Sequence, residues 1–282
     1  MKNLFLSIIL SLLALASLDL HVHHLSSGFC TEKVTSFMSL RSEWDLPAIE
    51  NKQKVKDILS QDFFYLNKGA QAYVFLSHDH NYVLKIFKQH KLRPTNILST
   101  LFHPQKEKYE RKKNRFCTAL NGCKEAFLKF QKETGLIYLH LNKEPDLHTQ
   151  VCCFDEQGRK HLIMLDNTVF VLQRKADLIY PTIASYMENG EELLAKELIS
   201  SIFDFLHILR ARGVYDNDPI LRKNFGVIEN NKIIQIDIGT FHVDETKVIE
   251  DNSAYIVAPL GRWLSENYPE LSAHFNSLNL EG

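Results

Sequence analysis

The sequence predicts an α+β protein with two lobes. Short strand-like runs crowd the region after residue 60, a long amphipathic helix follows at 191–212, and the composition is that of a globular domain. Lys and Arg total 33 against 34 Asp and Glu, a formal charge of −1. That balance argues against a chain whose main role is coating nucleic acid. The 282 residues suffice for one large domain or two lobes.

The elements follow in order. Residues 47–59 read as a polar-faced helix or loop. Phe63–Leu66, Tyr73–Leu76 and Tyr82–Phe87 read as strands of an antiparallel meander, joined by the small-residue turn Asn67–Ala70 and by His78–Asn81. A Lys- and Glu-rich helix is expected from Gln105 to Glu133, broken in two at Asn121-Gly122. Leu136–Leu141, Val151–Phe154, His161–Leu165 and Thr168–Arg174 read as further strands. In the helix Glu191–Arg212, Leu194, Leu198, Ile202, Phe205 and Leu209 recur at steps of three and four, and Gly213 ends it. A strand hairpin and a mixed tail close the chain. The expected organisation is 1–28 leader, 29–59 linker, 60–175 first lobe and 176–282 second lobe.

Lys2 precedes an uncharged stretch from Leu4 to Leu18, and Ala14-Leu15-Ala16 resembles a small-residue cleavage site. That is the anatomy of a secretory signal, or of a signal-anchor if it extends through Leu20. The reading is export or membrane attachment, the final compartment open. Cys30, Cys117, Cys123, Cys152 and Cys153 form no CxxC pair and read as unpaired thiols, in mild favour of a reducing space. His21, His23, His24, His78 and His80 read as ordinary polar positions rather than metal ligands. The Lys106–Arg115 charge run reads as an exposed helix face, without the aromatic interleaving that stacks nucleic-acid bases.

The sharpest local signal runs from Asn224 to Asp237. Val227-Ile228 and Ile233–Ile236 are strand-like, and Asn230-Asn231 suits a two-residue turn because Asn tolerates positive φ. That register places Asn224 directly opposite Asp237. An amide oxygen and a carboxylate so paired form a hard-oxygen set suited to Mg²⁺. Just upstream, Asp216 and Asp218 supply candidates for a general base or a hydroxyl-orienting group. At the other end, Gly69, Ala70 and Ala72 between two strands would admit a phosphate close to the backbone. Lys85 shares a strand face with Val83 and Phe87, where a cation needs a partner such as an acidic helix residue or a phosphate.

The order small-residue hairpin, strand Lys, helix Glu, Asp loop, Asn and Asp-x-Gly resembles the protein-kinase-like phosphotransferase superfamily over roughly residues 60–245. Leu66, Gly69 and Val74 match the family's glycine-loop pattern, with Asn67 and Ala72 in place of two glycines. The resemblance implies that Lys85 contacts nucleotide phosphates and is held by Glu125 or Glu110. It implies that backbone groups around Gln173 meet adenine. It gives Asp218 the catalytic position, with Asp216 where a His usually stands, and makes Asn224 and Asp237 the metal ligands. The 218–224 gap is one residue longer than usual, and no A-P-E follows Gly239. The resemblance is therefore to compact, atypical members with a reduced, mostly helical second lobe.

What this implies is ATP- and Mg²⁺-dependent transfer of the γ-phosphoryl group to a hydroxyl of a protein or small molecule. Two alternatives stay open: a pseudokinase serving as a binding or scaffolding module, and a secreted or membrane-attached structural protein. An ATP-dependent reading also asks that a leader place the domain in an ATP-containing compartment.

Overall fold

The computed structural model describes residues 11, 28–48, 51–92, 103–216, 218–244 and 253–280. The expected leader, with His21, His23 and His24, lies outside the described residues apart from positions 11 and 28. Among the described residues no helix is long and apolar enough to cross a membrane.

In chain order the elements are α1 (Thr31–Val34), α2 (Lys52–Leu59), β1 (Asp62–Lys68), β2 (Ala72–Ser77), β3 (Tyr82–Phe87), α3 (His103–Lys129), α4 (Gln131–Thr134), β4 (Leu136–His140), β5 (Gln150–Phe154), β6 (Lys160–Met164), β7 (Phe170–Arg174), β8 (Asp177–Leu178), α5 (Ile179–Glu188), α6 (Glu192–Ala211), β9 (Val214–Asp216), α7 (Leu221–Asn224), β10 (Phe225–Ile228), β11 (Lys232–Gln235), β12 (Phe241–Val243), α8 (Ser253–Asn267) and α9 (Pro269–Leu280). The α+β class is as expected. The sheet order is β4-β7-β3-β2-β1-β5-β6. An all-antiparallel first sheet is corrected: β1 pairs in parallel with β5, Phe63 opposite Cys153. Two strands so far apart in sequence are free to align either way, because no tight turn dictates direction.

The chain divides into two compact units, 1–97 with 140–171 and 98–139 with 172–282. The single cut expected near 175 is replaced by these interleaved segments. In the first unit the meander has the expected strands. The residues expected to be a linker are packed: Phe29, Val34 and Trp44 are buried. Phe29 meets Tyr73, Phe75 and His161 edge-on with centroids 4.9–5.2 Å apart. The Gly28 carbonyl accepts from the Tyr73 hydroxyl at 2.7 Å and from Lys33 Nζ. Single apolar residues separated by polar ones do not announce burial in sequence.

In the second unit, α3 runs unbroken through Asn121-Gly122, correcting the expected interruption; the helix yields to α4 at Phe130 instead. Gly122 answers a packing need. A Cβ there would stand 2.7 Å from the Phe241 carbonyl oxygen and 3.1 Å from that of Ile238. The expected helix at 191–212 is α6, its buried stripe including Leu198, Ile202, Phe205 and Leu209. Gly213, at φ 72°, turns the chain from α6 into β9. The second unit also contains α5, α8 and α9, on which the sequence reading was silent or spoke only of a mixed tail.

Candidate functional site

The second unit gathers Asp216, Asp218, Asn224 and Asp237 through one hairpin and one strand pair. In the hairpin, Phe225 opposes Gln235 and Val227 opposes Ile233. This register is one residue off the expected one and puts Asn224 opposite Ile236 rather than Asp237. The loop uses Glu229, Asn230 and Asn231, with Asn230 and Asn231 both at positive φ. Tertiary anchors explain the extra residue. Tyr186 Oη donates to Asn231 Oδ1 at 2.7 Å, Asn231 Nδ2 donates to the Leu194 carbonyl at 3.2 Å, and Arg174 pairs with Glu229. Positions 224 and 237 nevertheless meet: the Asn224 carbonyl accepts from Ile236 N at 2.7 Å and Asp237 N at 3.3 Å. Asn224 is buried and Asp237 is exposed, its Oδ1 accepting from Gly239 N at 3.1 Å.

The pairing of β9 with β12 sets Phe241 opposite Asp216 and so brings Thr240 alongside. Asp216 is the hub. Its Oδ1 accepts from Asp218 N at 2.9 Å and from Thr240 Oγ1; its Oδ2 accepts from Gln235 Nε2 at 2.5 Å. Gln235 Nε2 also reaches the Asp237 carbonyl at 3.1 Å. Asn224 Nδ2 donates to the Asp218 carbonyl at 2.5 Å. Burial pushes the Asp216 carboxyl above the usual carboxylate range, and the charges of Asp237 and Asp218 add to that; the Thr240 and Asp218 N–H bonds oppose it. Gln235 and Thr240 were missed in sequence. A lone amide within the apolar run Ile233-Ile234-Gln235-Ile236 was the available signal, since a polar group buried in a strand needs partners.

The other predicted positions lie elsewhere. In the first unit, Val74 opposes Lys85 and Ala72 opposes Phe87, so Ala72, Val74 and Lys85 share one face beside the Gly69-Ala70 turn. Gly69 N bonds the Ala72 carbonyl at 3.0 Å, and β1 carries a bulge at Leu66. Lys88, unsuspected in sequence, is buried; its Nζ donates to the Gly69 carbonyl and lies 4.7 Å from the centre of the Tyr73 ring. In the second unit, Glu125 is half-buried on α3 and Glu110 is exposed on the same helix, about four turns earlier. Gln173 is buried, and its Nε2 donates to the carbonyls of Thr134 at 2.6 Å and Gln235 at 3.3 Å. Its side chain braces the hairpin from behind, which leaves only its backbone for the adenine role.

The side-chain oxygens of Asp216, Asp218, Asn224 and Asp237 are hard ligands of the kind a small divalent cation prefers. Gln235 Oε1 is buried there without a hydrogen-bond partner among the described residues, and Asp237 and Asp216 repel each other. Both features fit a cation held by Asn224 and Asp237. Among the described residues no three His, Cys, Asp or Glu cluster closely enough to hold a metal by themselves. Mg²⁺ asks for less, since it keeps waters and takes one or two carboxylates plus phosphate oxygens. No disulfide joins any of the five cysteines.

No family model matches the chain. No curated protein matches it. Among the solved structures that match is a medium-resolution structure of the bifunctional kinase-methyltransferase WbdD, at 15% identity and TM-score 0.35 over 74% of this chain. The chain spans 42% of that protein's length. A likeness so distant sets no constraint on chemistry.

Proposed function

We propose that this protein is a Mg²⁺-dependent phosphotransferase that moves the γ-phosphoryl group of ATP to a hydroxyl acceptor. The observation that carries the reading is the Asp216 network, in which one hairpin end holds Asn224, Asp237 and Asp218 within a single set of hydrogen bonds. Bound Mg·ATP supplies the transferable phosphoryl group and the cation that neutralises its charge. Asn224 and Asp237 offer oxygen ligands to that cation. Asp218 orients the acceptor hydroxyl and takes its proton. Asp216 keeps Asp218 in place through the backbone N–H and is itself steadied by Gln235 and Thr240. The nucleotide-binding roles that the resemblance implies for Lys85, Gly69, Ala70, Ala72 and Val74 of the first unit and for Glu125 of the second are kept as part of this proposal. The protein's contribution is positioning and electrostatics rather than covalent chemistry.

One observation favours the alternative of a nucleotide-binding module without turnover: the Gly69 carbonyl is pinned by Lys88, which restrains the turn that would cover phosphates. Labelled ATP and Mg²⁺ separate the two. We expect phosphoryl release by the wild type and a loss of about 10²–10⁴-fold in Asp218→Asn and Asp237→Asn. Equal release by all three proteins would overturn the enzymatic reading. A Mg²⁺-dependent melting shift of several degrees with ATP, without any release, would leave the binding module.

A further inference from the structure

A cavity of about 440 Å³ opens in the second unit beside the Asp218–Asn224 segment. Leu178 leads into α5, and Tyr180 and Ala184, one turn apart, present the same helix face. Trp263 of α8 closes another side, its ring centroid 4.8 Å from that of Tyr180. Arg222 and Lys223, the two cations of α7, complete the lining, and the Arg222 guanidinium lies 5.3 Å from the centre of the Tyr180 ring. No acidic side chain is in the lining. Among the described residues neither Arg222 nor Lys223 pairs with a carboxylate, although both are exposed. Leu178 is left 40% exposed at the mouth, an apolar group facing water.

Apolar and aromatic walls, with two cations at the rim that meet no carboxylate among the described residues, suit a ligand that is planar and apolar in its body and negative at one end. We propose that this cavity binds a small aromatic anion, its ring against Trp263, Pro181 and Leu178 over the buried Tyr180, and its carboxylate or phosphate at Arg222 and Lys223. The binding claim stands without phosphotransfer. Only the extension that such an anion, when it also carries a hydroxyl, is the acceptor rests on that reading, because Arg222 and Lys223 sit between Asp218 and Asn224 in the chain.

The test uses the full chain and two dyes of similar shape, the anionic 1-anilinonaphthalene-8-sulfonate and the neutral N-phenyl-1-naphthylamine. Saturable binding of both by the wild type is expected. Arg222→Gln with Lys223→Gln should weaken the anionic dye at least tenfold and the neutral one less than twofold. Ala184→Trp, which fills the cavity, should abolish both, with an unchanged circular-dichroism melt. Phenyl phosphate and benzoate compete in separate arms: displacement by either supports the site and assigns the anion, and displacement by neither overturns it. Absence of saturable binding to the wild type, or an equal loss of both dyes in the double variant, also overturns it. Mg·ATP melting shifts on the same proteins keep the two readings apart: dye failure with a retained ATP shift sinks the cavity proposal alone.

Discussion

Two aspartates show how surroundings set a carboxylate's task. Asp155 is buried, which by itself would raise its proton affinity. Bonds from His161 Nε2, the Arg159 N–H and guanidinium, and the Gln157 N–H outweigh burial and hold the carboxyl below the usual range. Its stabilising effect is therefore complete above the ordinary aspartate value of about 3.9 and is lost as pH falls through the lowered one. Asp155→Ala should cost about 2–3 kcal/mol at pH 7 in urea unfolding, and the deficit should shrink toward pH 3. A deficit that is constant with pH would mean the ion pairs are not its source. Asp216 runs the other way. Its raised proton affinity favours the fold below the ordinary value and is lost as pH rises through the raised one, so the ionised group counts against stability at neutral pH. A fold keeps such a group where it serves a site. Thr240→Val removes a bond to the ionised form, so the Asp216 carboxyl should titrate still higher by carbon NMR; no movement would discount the hydroxyl's role.

At the level of elements, α3 and the α7–β10–β11 hairpin are each fixed by contacts with distant chain. Gly122 is the point where α3 meets the chain that leads into β12, and the clashing atom is a backbone oxygen that cannot swing aside. Gly122→Ala should gain up to about 1 kcal/mol in helix propensity and lose about 1–3 kcal/mol to overpacking, for a net destabilisation in chemical denaturation. A more stable variant would show that α3 and the 238–241 segment can separate at little cost. In the hairpin, Asn231 is held by Tyr186 and Leu194. Asn231→Ala should cost about 1–2 kcal/mol, and Tyr186→Phe, which removes only the hydroxyl, should lose a part of that. Two strictly additive losses in the double variant would refute a shared anchor.

At the scale of the molecule, each compact unit is assembled from separated stretches of chain. No single cut releases either. A fragment of residues 60–175, the span a linear reading would choose, retains Gly122 of α3 and Phe130 without Phe241 and keeps Tyr73 and Phe75 without Phe29. Such a fragment should show no cooperative melt and broad amide resonances, whereas the full chain should melt cooperatively. A sharp transition in the 60–175 fragment would refute the interdependence.

Local chemistry was enough to read the strands at 62–87, the amphipathic period of α6, the Gly213 stop and the turn at Asn230-Asn231, because each depends on neighbours a few residues away. The parallel partner of β1, the continuity of α3 through Gly122, the burial of Phe29 and the three-residue loop at Asn231 were settled by contacts from distant positions. The same holds for Gln235 and Thr240, whose amide and hydroxyl gain meaning only when β9 and β12 bring Asp216 to them. Backbone propensity acts within a turn or a strand; packing and hydrogen-bond satisfaction act across the fold, and where the two compete the buried contacts prevail.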